Sequence, residues 1–184
     1  MKVKTLFLIC FLSITCLLNA ADKPVIQIHT DNSSLIFRVA DNGRLYQSYL
    51  GKKLSHETDI SHLPQGTEAY ITHGMEDYFE PAIHILHNDG NPSLLLKYVS
   101  HETKAVSQGV NETIITLGGD KYPVTVKLHY VTYPAEDIIK TYTEISHKEK
   151  KPVVLHQYAS SMLHLNRAKY YLTEFAGDWA HEAN

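Results

Sequence analysis

The sequence predicts an all-β fold made of long antiparallel strands in two stacked sheets. Apolar residues alternate with polar ones from Val124 to Tyr130, and this period of two is typical of a strand with one buried face. A second alternating segment, Leu35 to Ala40, ends at Asp41-Asn42-Gly43, which favours a tight turn because Asn and Gly tolerate positive φ. No window of twelve residues shows an apolar stripe at helical spacing.

Two hairpins and a series of single strands are expected along the chain. The tight turn just described joins residues 35–40 to residues 44–50. A second turn, Asn88-Asp89-Gly90-Asn91, is predicted to join residues 82–87 to residues 93–100. Further strands are predicted at 111–117, 124–130, 137–146, 153–165 and 169–175. Several strands are long for a small sandwich, which indicates two large sheets packed face to face.

Residues 51–81 interrupt this regular pattern. They contain Pro64, Gly66, Gly74 and Pro81 and are predicted to form one long loop. Long loops in compact domains are often functional, so this segment is the first place in the chain to look for a site.

The first 21 residues have the layout of a secretory signal peptide. Lys2 and Lys4 precede an apolar run over residues 6–18, and the small residues Asn19-Ala20-Ala21 follow it. The run is too short for a transmembrane anchor, which needs about 20 apolar residues. We therefore expect export to the periplasm or the medium, no membrane anchor and a mature domain over residues 22–184. A lipoprotein anchored at Cys16 is the alternative, although the preceding threonine fits lipoprotein cleavage poorly.

Composition excludes several classes of protein. The 184 residues fit one globular domain, and 17 basic against 20 acidic residues give no electrostatic support for nucleic-acid binding. Cys10 and Cys16 both lie in the predicted signal peptide, so the mature domain has no cysteine for a disulfide, a thiolate metal site or a nucleophile. Motifs for phosphate binding, dinucleotide binding and a Gly-x-Ser-x-Gly nucleophile are absent. No cofactor is expected.

The 12 histidines do not predict a metal site. His84 and His87 lie three residues apart on one predicted strand and therefore point to opposite faces. His156 and His164 share a face of the strand predicted over 153–165, but strand rise separates them by about 26 Å. We expect the histidines to be scattered over the surface and the edge of the core.

Acidic and aromatic residues give two weak candidates for sugar binding, Asp77 and Trp179. Asp77 belongs to an acidic cluster in the long loop, with Glu76 and Glu80, and a second acidic cluster spans residues 174–182. Paired carboxylates hydrolyse glycosidic bonds only at a set separation, which spacing in the sequence does not provide. A solvated acidic loop is the simpler interpretation. Trp179 is the single tryptophan, and its aromatic face suits sugar stacking, although packing is the commoner role.

Three stretches of the sequence carry a family resemblance. The first comprises Leu63-Pro64-Gln65, Gly74 and Asp77-Tyr78-Phe79-Glu80-Pro81-Ala82. The second comprises Asp89-Gly90-Asn91, Leu96-Lys97-Tyr98 and Ser100-His101. The third comprises Tyr130, Tyr133, Asp137-Ile138-Ile139, Pro152-Val153, Ser160, Leu163, Leu172, Phe175, Gly177, Trp179 and Glu182. Together they resemble the N-terminal domain of glycoside hydrolase family 36, the α-galactosidases, over residues 26–184.

The resemblance implies a β-supersandwich similar to galactose mutarotase, which agrees with the long strands predicted above. In the family this domain precedes a (β/α)8 barrel that holds two catalytic aspartates, a nucleophile and an acid/base. The chain stops near Trp179, so we expect an incomplete supersandwich without a catalytic residue. Asp77 matches a family aspartate suited to contact a neighbouring subunit's sugar. Phe79 stands where the family has an arginine, and a phenyl ring cannot fork onto hydroxyls as a guanidinium does.

Two hypotheses about function follow from the resemblance. In the first, the chain is the non-catalytic N-terminal portion of an exported α-galactosidase, and its partner is the catalytic barrel of the same enzyme. In the second, it is a free-standing galactoside-binding or assembly module. An interrupted supersandwich leaves strand edges and apolar side chains uncovered, so the chain alone is expected to be marginally stable, oligomeric or aggregation-prone.

Overall fold

A computed structural model describes residues 23–75 and 80–165. These residues form ten β-strands and one short helix. In chain order the elements are β1 (Val25–His29), β2 (Ser33–Val39), β3 (Leu45–Lys52), α1 (Glu57–Ser61), β4 (Thr67–Glu68), β5 (Ile83–Leu86), β6 (Leu96–Ser107), β7 (Val110–Gly119), β8 (Val124–Tyr133), β9 (Ile138–His147) and β10 (Val154–Tyr158). The prediction of an all-β antiparallel fold is confirmed.

The described strands form three sheets. β1, β2, β3 and β4 make one four-stranded sheet in that order, β6, β7, β8 and β9 make a second, and β5 pairs with β10. The inner faces of the two four-stranded sheets share one apolar core because alternate residues of their strands are apolar. Phe37 of β2 lies against Tyr130 of β8, with ring centroids 5.1 Å apart. The predicted stacking of two large sheets is therefore observed.

The predicted hairpin at residues 35–50 is confirmed. β2 pairs antiparallel with β3, and Gly43 closes the turn at φ 78°, where its amide donates to the Ala40 carbonyl over 2.9 Å. The alternating segment 124–130 lies in β8, between β7 and β9 of the second sheet. Period-two patterning therefore identified the central strands correctly.

The predicted hairpin between residues 82–87 and 93–100 is wrong. The turn between them forms, but β5 pairs with β10 and β6 pairs with β7. Pro92 has no N–H to donate to a ladder, and the Asn91 side-chain oxygen instead accepts from the amide of Ser93 over 2.9 Å. These local contacts lead the chain away from β5 before β6 begins.

The strand predicted over residues 153–165 is too long. β10 ends at Tyr158, and the residues that follow leave the ladder. A bulge at His156 also bends β10. The straight-strand separation of about 26 Å between His156 and His164 therefore does not apply. The strand predicted at 169–175 lies outside the described residues.

The segment predicted as one long loop, residues 51–81, contains α1 and β4. β4 pairs with β3, and the Ser48 hydroxyl donates to the Gln65 carbonyl over 2.9 Å. In α1, the buried residue Ile60 accepts a hydrogen bond from Arg38 through its carbonyl. The first part of the loop therefore follows the edge of the first sheet, and its last part contains the acidic cluster of Glu76, Asp77 and Glu80.

Candidate functional site

The two residues predicted to contact substrate, Asp77 and Trp179, lie outside the described residues. Glu80, from the same acidic cluster as Asp77, is described and exposed, and its Oε1 accepts from Gln157 Nε2 over 2.9 Å. The same amide nitrogen donates to the Pro81 carbonyl over 2.9 Å. Gln157 of β10 therefore holds Glu80 and Pro81, the residues at the C-terminal end of the loop.

The two ends of the loop that carries Asp77 meet at a hydrogen-bonded base. The amide of His73 donates to the Ile83 carbonyl over 3.0 Å, and the amide of Ala82 donates to the Ile71 carbonyl over 2.8 Å. Ile71, Ala82 and Ile83 are buried. The fold therefore fixes the positions at which this loop begins and ends.

Two glycines position the loop by allowing close backbone approaches. Gly66 has φ 83°, and a Cβ there would lie 1.9 Å from the carbonyl oxygen of Gln47. Gly74 has φ 82°, and a Cβ there would lie 2.9 Å from the Cα of Ser93. A side chain at either position would force the backbone apart. The glycine of the family-like first stretch, Gly74, thus has a structural role.

Three histidines form a stack at the base of the loop. The rings of His73 and His84 lie 3.8 Å apart, and those of His84 and His156 lie 4.8 Å apart, measured between centroids. Desolvation lowers the pKa of His84, and charge on either neighbouring imidazole lowers it further. The stack therefore favours the neutral form of His84. The expectation that the histidines are scattered is wrong for these three.

The histidine stack does not form a metal centre. A metal lies in the plane of each imidazole that binds it, at about 2 Å from the nitrogen. The His73 and His84 planes are nearly parallel, at 19°, and are stacked, so their lone pairs do not converge on one point. Across residues 23–75 and 80–165, no group of three or more His, Cys, Asp or Glu side chains has a metal-binding arrangement.

His87 and Glu149 form a buried pair at the end of β5. His87 Nδ1 donates to Glu149 Oε1 over 2.7 Å, and the His87 ring stacks on Tyr122 with centroids 3.5 Å apart. Burial acts to raise the pKa of Glu149, but hydrogen bonds from His87 and Asn88 outweigh it and hold that pKa below its usual range. The pair fastens the turn after β5 to the loop before β10.

Glu112 is the centre of a second ionic cluster, on the outer face of the second sheet. It accepts hydrogen bonds from Tyr142 Oη over 2.5 Å and His129 Nδ1 over 2.9 Å, and Lys104 Nζ lies 3.0 Å away. These hydrogen bonds, that from Tyr142 foremost, lower the pKa of Glu112 to about 2. A carboxyl that is ionised at neutral pH cannot act as a general acid, and the hydrogen bonds of Glu112 join neighbouring strands of the second sheet.

Side chains hold residues 159–165 after the β10 ladder has ended. Gln47 Nε2 donates to the carbonyl of His164 over 2.7 Å, and Gln47 Oε1 accepts from the amide of His164 over 3.2 Å. Tyr70 Oη donates to the Ala159 carbonyl over 2.8 Å. Gln47 is fully buried, so its side-chain amide needs hydrogen-bond partners. It finds them in the backbone of His164, which it pairs with as a neighbouring strand would.

β10 exposes two apolar side chains on its core-facing side. Leu155 pairs with Ile85, and Tyr158 pairs with Ile83. Since Ile83 and Ile85 are two residues apart on β5, all four side chains point to the same face of the two-stranded sheet. Ile83 and Ile85 are buried, whereas Leu155 is 42% exposed and Tyr158 is 63% exposed. We call Leu155 and Tyr158 the β10 surface. Both residues of the β10 surface are thus far more exposed than their partners on β5.

Sequence reasoning missed the histidine stack and the role of Gln47. His73, His84 and His156 come from three separate parts of the chain, so no local spacing connects them. Gln47 did have a signal: it shares the buried side of β3 with Leu45, where a polar residue needs a hydrogen-bond partner.

Comparison with known proteins identifies a family. The family model described as "Glycosyl hydrolase family 36 N-terminal domain" matches residues 27–184. The comparison with curated proteins found no match.

Solved structures with a similar fold include several α-galactosidases. The α-galactosidase from Lactobacillus brevis has a TM-score of 0.74 and 20% identity, over 88% of this chain and 26% of its own. The galactosidase domain of the α-galactosidase-sucrose kinase AgaSK has a TM-score of 0.67 and 19% identity, over 74% of this chain and 24% of its own. AgaA from Geobacillus stearothermophilus has a TM-score of 0.66 and 17% identity over the same shares, 74% and 24%. At these identities the likeness shows the fold, and this chain spans about a quarter of each enzyme.

Proposed function

The chain belongs to the family of glycosyl hydrolase family 36 N-terminal domains, and from this premise we propose that it forms the non-catalytic N-terminal portion of an exported α-galactosidase. The whole enzyme hydrolyses terminal α-galactosyl residues, and the β-sandwich supports the catalytic part without supplying reacting groups. Family membership carries the proposal, because the match spans residues 27–184 and the fold is that of a segment of solved α-galactosidases.

The β10 surface supports a role as one part of a larger protein. Leu155 and Tyr158 point to the core side of their sheet but are 42% and 63% exposed. Burying apolar area is worth about 25 cal/mol per Å², so an element packed on them would be stabilising. The remainder of the enzyme, including its catalytic barrel, is the partner that we assign to this surface.

The described ionic clusters support a structural role for this portion. A glycosidase needs a general acid that keeps its proton near neutral pH. Glu112 has a pKa of about 2, and hydrogen bonds keep the pKa of Glu149 below its usual range. Both carboxylates accept hydrogen bonds from side chains on other strands or loops, and so they hold these elements together.

Export is the part of the proposal that rests on the first 21 residues. Within residues 23–75 and 80–165, no helix is long and apolar enough to cross a membrane. We expect the mature protein to begin at Ala21 or Asp22. N-terminal sequencing of protein from the source cells tests this, and a retained Met1 or a lipid on Cys16 would contradict it.

The enzyme assignment is tested with an antibody raised against residues 22–184. Immunoprecipitation from source cells should recover hydrolysis of an aryl α-galactoside, whereas the purified chain alone should show no turnover above a control without protein. Turnover by the chain alone that disappears in Asp77→Asn or Glu80→Gln would contradict the proposal. An antigen of this chain's own size, without α-galactosidase activity, would favour a free-standing galactoside-binding or assembly module.

A further inference from the structure

A cavity of about 290 Å³, open to solvent and lined mainly by exposed residues, lies where three turns of the sandwich meet. The turns are those between β1 and β2, between β6 and β7, and between β8 and β9. The cavity is lined by Tyr133, Pro134, Asp31, Gln108 and Glu136, with small residues between them. Its volume is near the lower end of the roughly 300 to 1,000 Å³ of small-molecule pockets, so it suits a ligand of one or two rings.

Hydrogen bonds preform the wall of this cavity. The amide of Asp31 donates to the Pro134 carbonyl over 3.2 Å and joins two of the turns. Asp137 adopts φ 57°, which is uncommon for a residue other than glycine. Its carboxylate accepts from the Thr30 hydroxyl and, over 3.1 Å, from the Ser33 hydroxyl. A backbone held in such a conformation needs supporting contacts, and these hydroxyls provide them.

The side chains that line the cavity match the chemistry of an uncharged sugar. The Tyr133 ring and Pro134 offer apolar faces on which the C–H face of a pyranose can lie. The carboxylates of Asp31 and Glu136 accept hydrogen bonds from hydroxyl groups, and the amide of Gln108 both donates and accepts. None of the described lining residues carries a positive charge, which disfavours phosphates and other anions.

We propose that this cavity is a binding site for a neutral saccharide, with Tyr133 as the stacking platform and Glu136 and Asp31 as hydroxyl acceptors. The site is argued from the cavity and its lining. The choice of a galactoside as the first ligand rests on the proposed function. Neither Asp77 nor Trp179 takes part.

Saturation-transfer NMR on the purified chain tests the site, with methyl α-D-galactoside and raffinose as ligands. We expect transfer to both ligands, and an affinity reduced about tenfold in Tyr133→Ala, because an aromatic contact of this kind is worth about that factor. Glu136→Gln, a change at an exposed side chain, should weaken binding in the same direction and guards against misfolding of the first variant. Tyr46→Ala, at a half-buried tyrosine on β3 that does not line the cavity, is the matched control and should bind as the unaltered chain does.

The site would be overturned by no transfer to either sugar, or by an affinity that is unchanged in both Tyr133→Ala and Glu136→Gln. Binding of calcium ions without saccharide binding would also overturn it, since the carboxylates would then serve a cation. These results are separable from the enzyme test above. Binding without immunoprecipitated α-galactosidase activity leaves the cavity site standing, and activity without binding removes the cavity site alone.

Discussion

The second four-stranded sheet and the β5–β10 pair are both antiparallel with one core-facing side, but they differ in what covers that side. Leu128 of β8 is 4% exposed, whereas Leu155 of β10 is 42% exposed. β8 lies between two long partners and faces the first sheet, and β10 pairs with β5 over a short, bulged register. Strand pairing therefore determines which way a side chain points, and a second layer determines whether it is buried.

The edge strands β6 and β10 extend this comparison. β6 has two bulges, at Val99 and Val106, which are 60% and 57% exposed. Bulges interrupt the regular row of free N–H and C=O groups and so discourage pairing with another chain. β10 has one bulge, at His156, and it returns Tyr158 to the same side as Leu155. The bulges thus protect the edge of β6 from pairing with another chain. In β10, by contrast, the bulge places the exposed residues Leu155 and Tyr158 on the same side.

The largest effect should come from truncating a covered leucine. Leu128→Ala should cost about 2 to 5 kcal/mol of unfolding free energy, because it leaves a cavity between the sheets. Leu155→Ala, the matched change on β10, should cost only about 1 to 2 kcal/mol, because part of that side chain is already in water. Urea denaturation measures both. Equal losses would mean that the β10 surface is covered in solution.

A smaller and more local effect is expected for Gln47→Leu. The change removes both hydrogen bonds to the His164 backbone, at a cost of about 1 to 3 kcal/mol for buried groups left unpaired. Amide hydrogen exchange should accelerate in residues 159–165 and stay unchanged in β7 and β8. Gln27→Leu, at an exposed position of β1, is the control. Unaltered exchange in residues 159–165 would show that Gln47 does not hold them.

Self-association should depend on the β10 surface and not on the β6 edge. Replacing Leu155 and Tyr158 by serine should weaken association of the purified chain at least about tenfold, or about 1.4 kcal/mol, because the shared apolar area is lost. Replacing Val99 and Val106 by serine should leave it unchanged. Sedimentation velocity over a concentration series measures both. A monomeric chain with a cooperative thermal transition above the ordinary mesophile range would contradict association through the β10 surface.

The smallest effect concerns pH and the histidine stack. The pKa of His84 is lowered in the folded state, by desolvation first and then by His73 and His156, so the unfolded chain binds its proton more readily. The folded state is therefore stabilised fully only above about pH 6.5, the pKa of His84 in the unfolded chain. As the pH falls below that value toward the lower pKa of His84 in the folded state, this stabilisation is lost. His84→Asn should reduce the loss of unfolding free energy between about pH 7.5 and pH 5.5. An unchanged pH dependence in that variant would show that the stack does not couple to folding.

The sequence predicted local structure better than it predicted pairing. The turn at Gly43 joins β2 to β3, which follow each other in the chain and also pair. The turn residues and the two alternating segments were therefore enough to predict this hairpin. The turn at 88–91 looked equivalent, but β5 found its partner in β10, far along the chain. Pro92 was the available signal, because a residue without an N–H argues against a ladder at that point.

The candidate site was predictable in its place but not in its chemistry. Residues 63–82 were singled out by glycines, prolines and a family resemblance, and the structure gives that segment a fixed base. The saccharide cavity was not predictable, because Asp31, Gln108 and Glu136 come from three turns that only the packed sheets bring together. Asp137 also gave no local signal of its left-handed backbone, which depends on Thr30 and Ser33.

The amino-acid sequence by itself determined the all-β class, the sides of the central strands and the family, because alternation and short motifs are properties of neighbouring residues. Only the tertiary structure decided the partner of β5, the stacking of three distant histidines and the exposure of the core-facing side of β10. These features depend on which elements pack together across the whole domain. The free energy of that packing is shared among distant residues, and no single segment of the chain contains it.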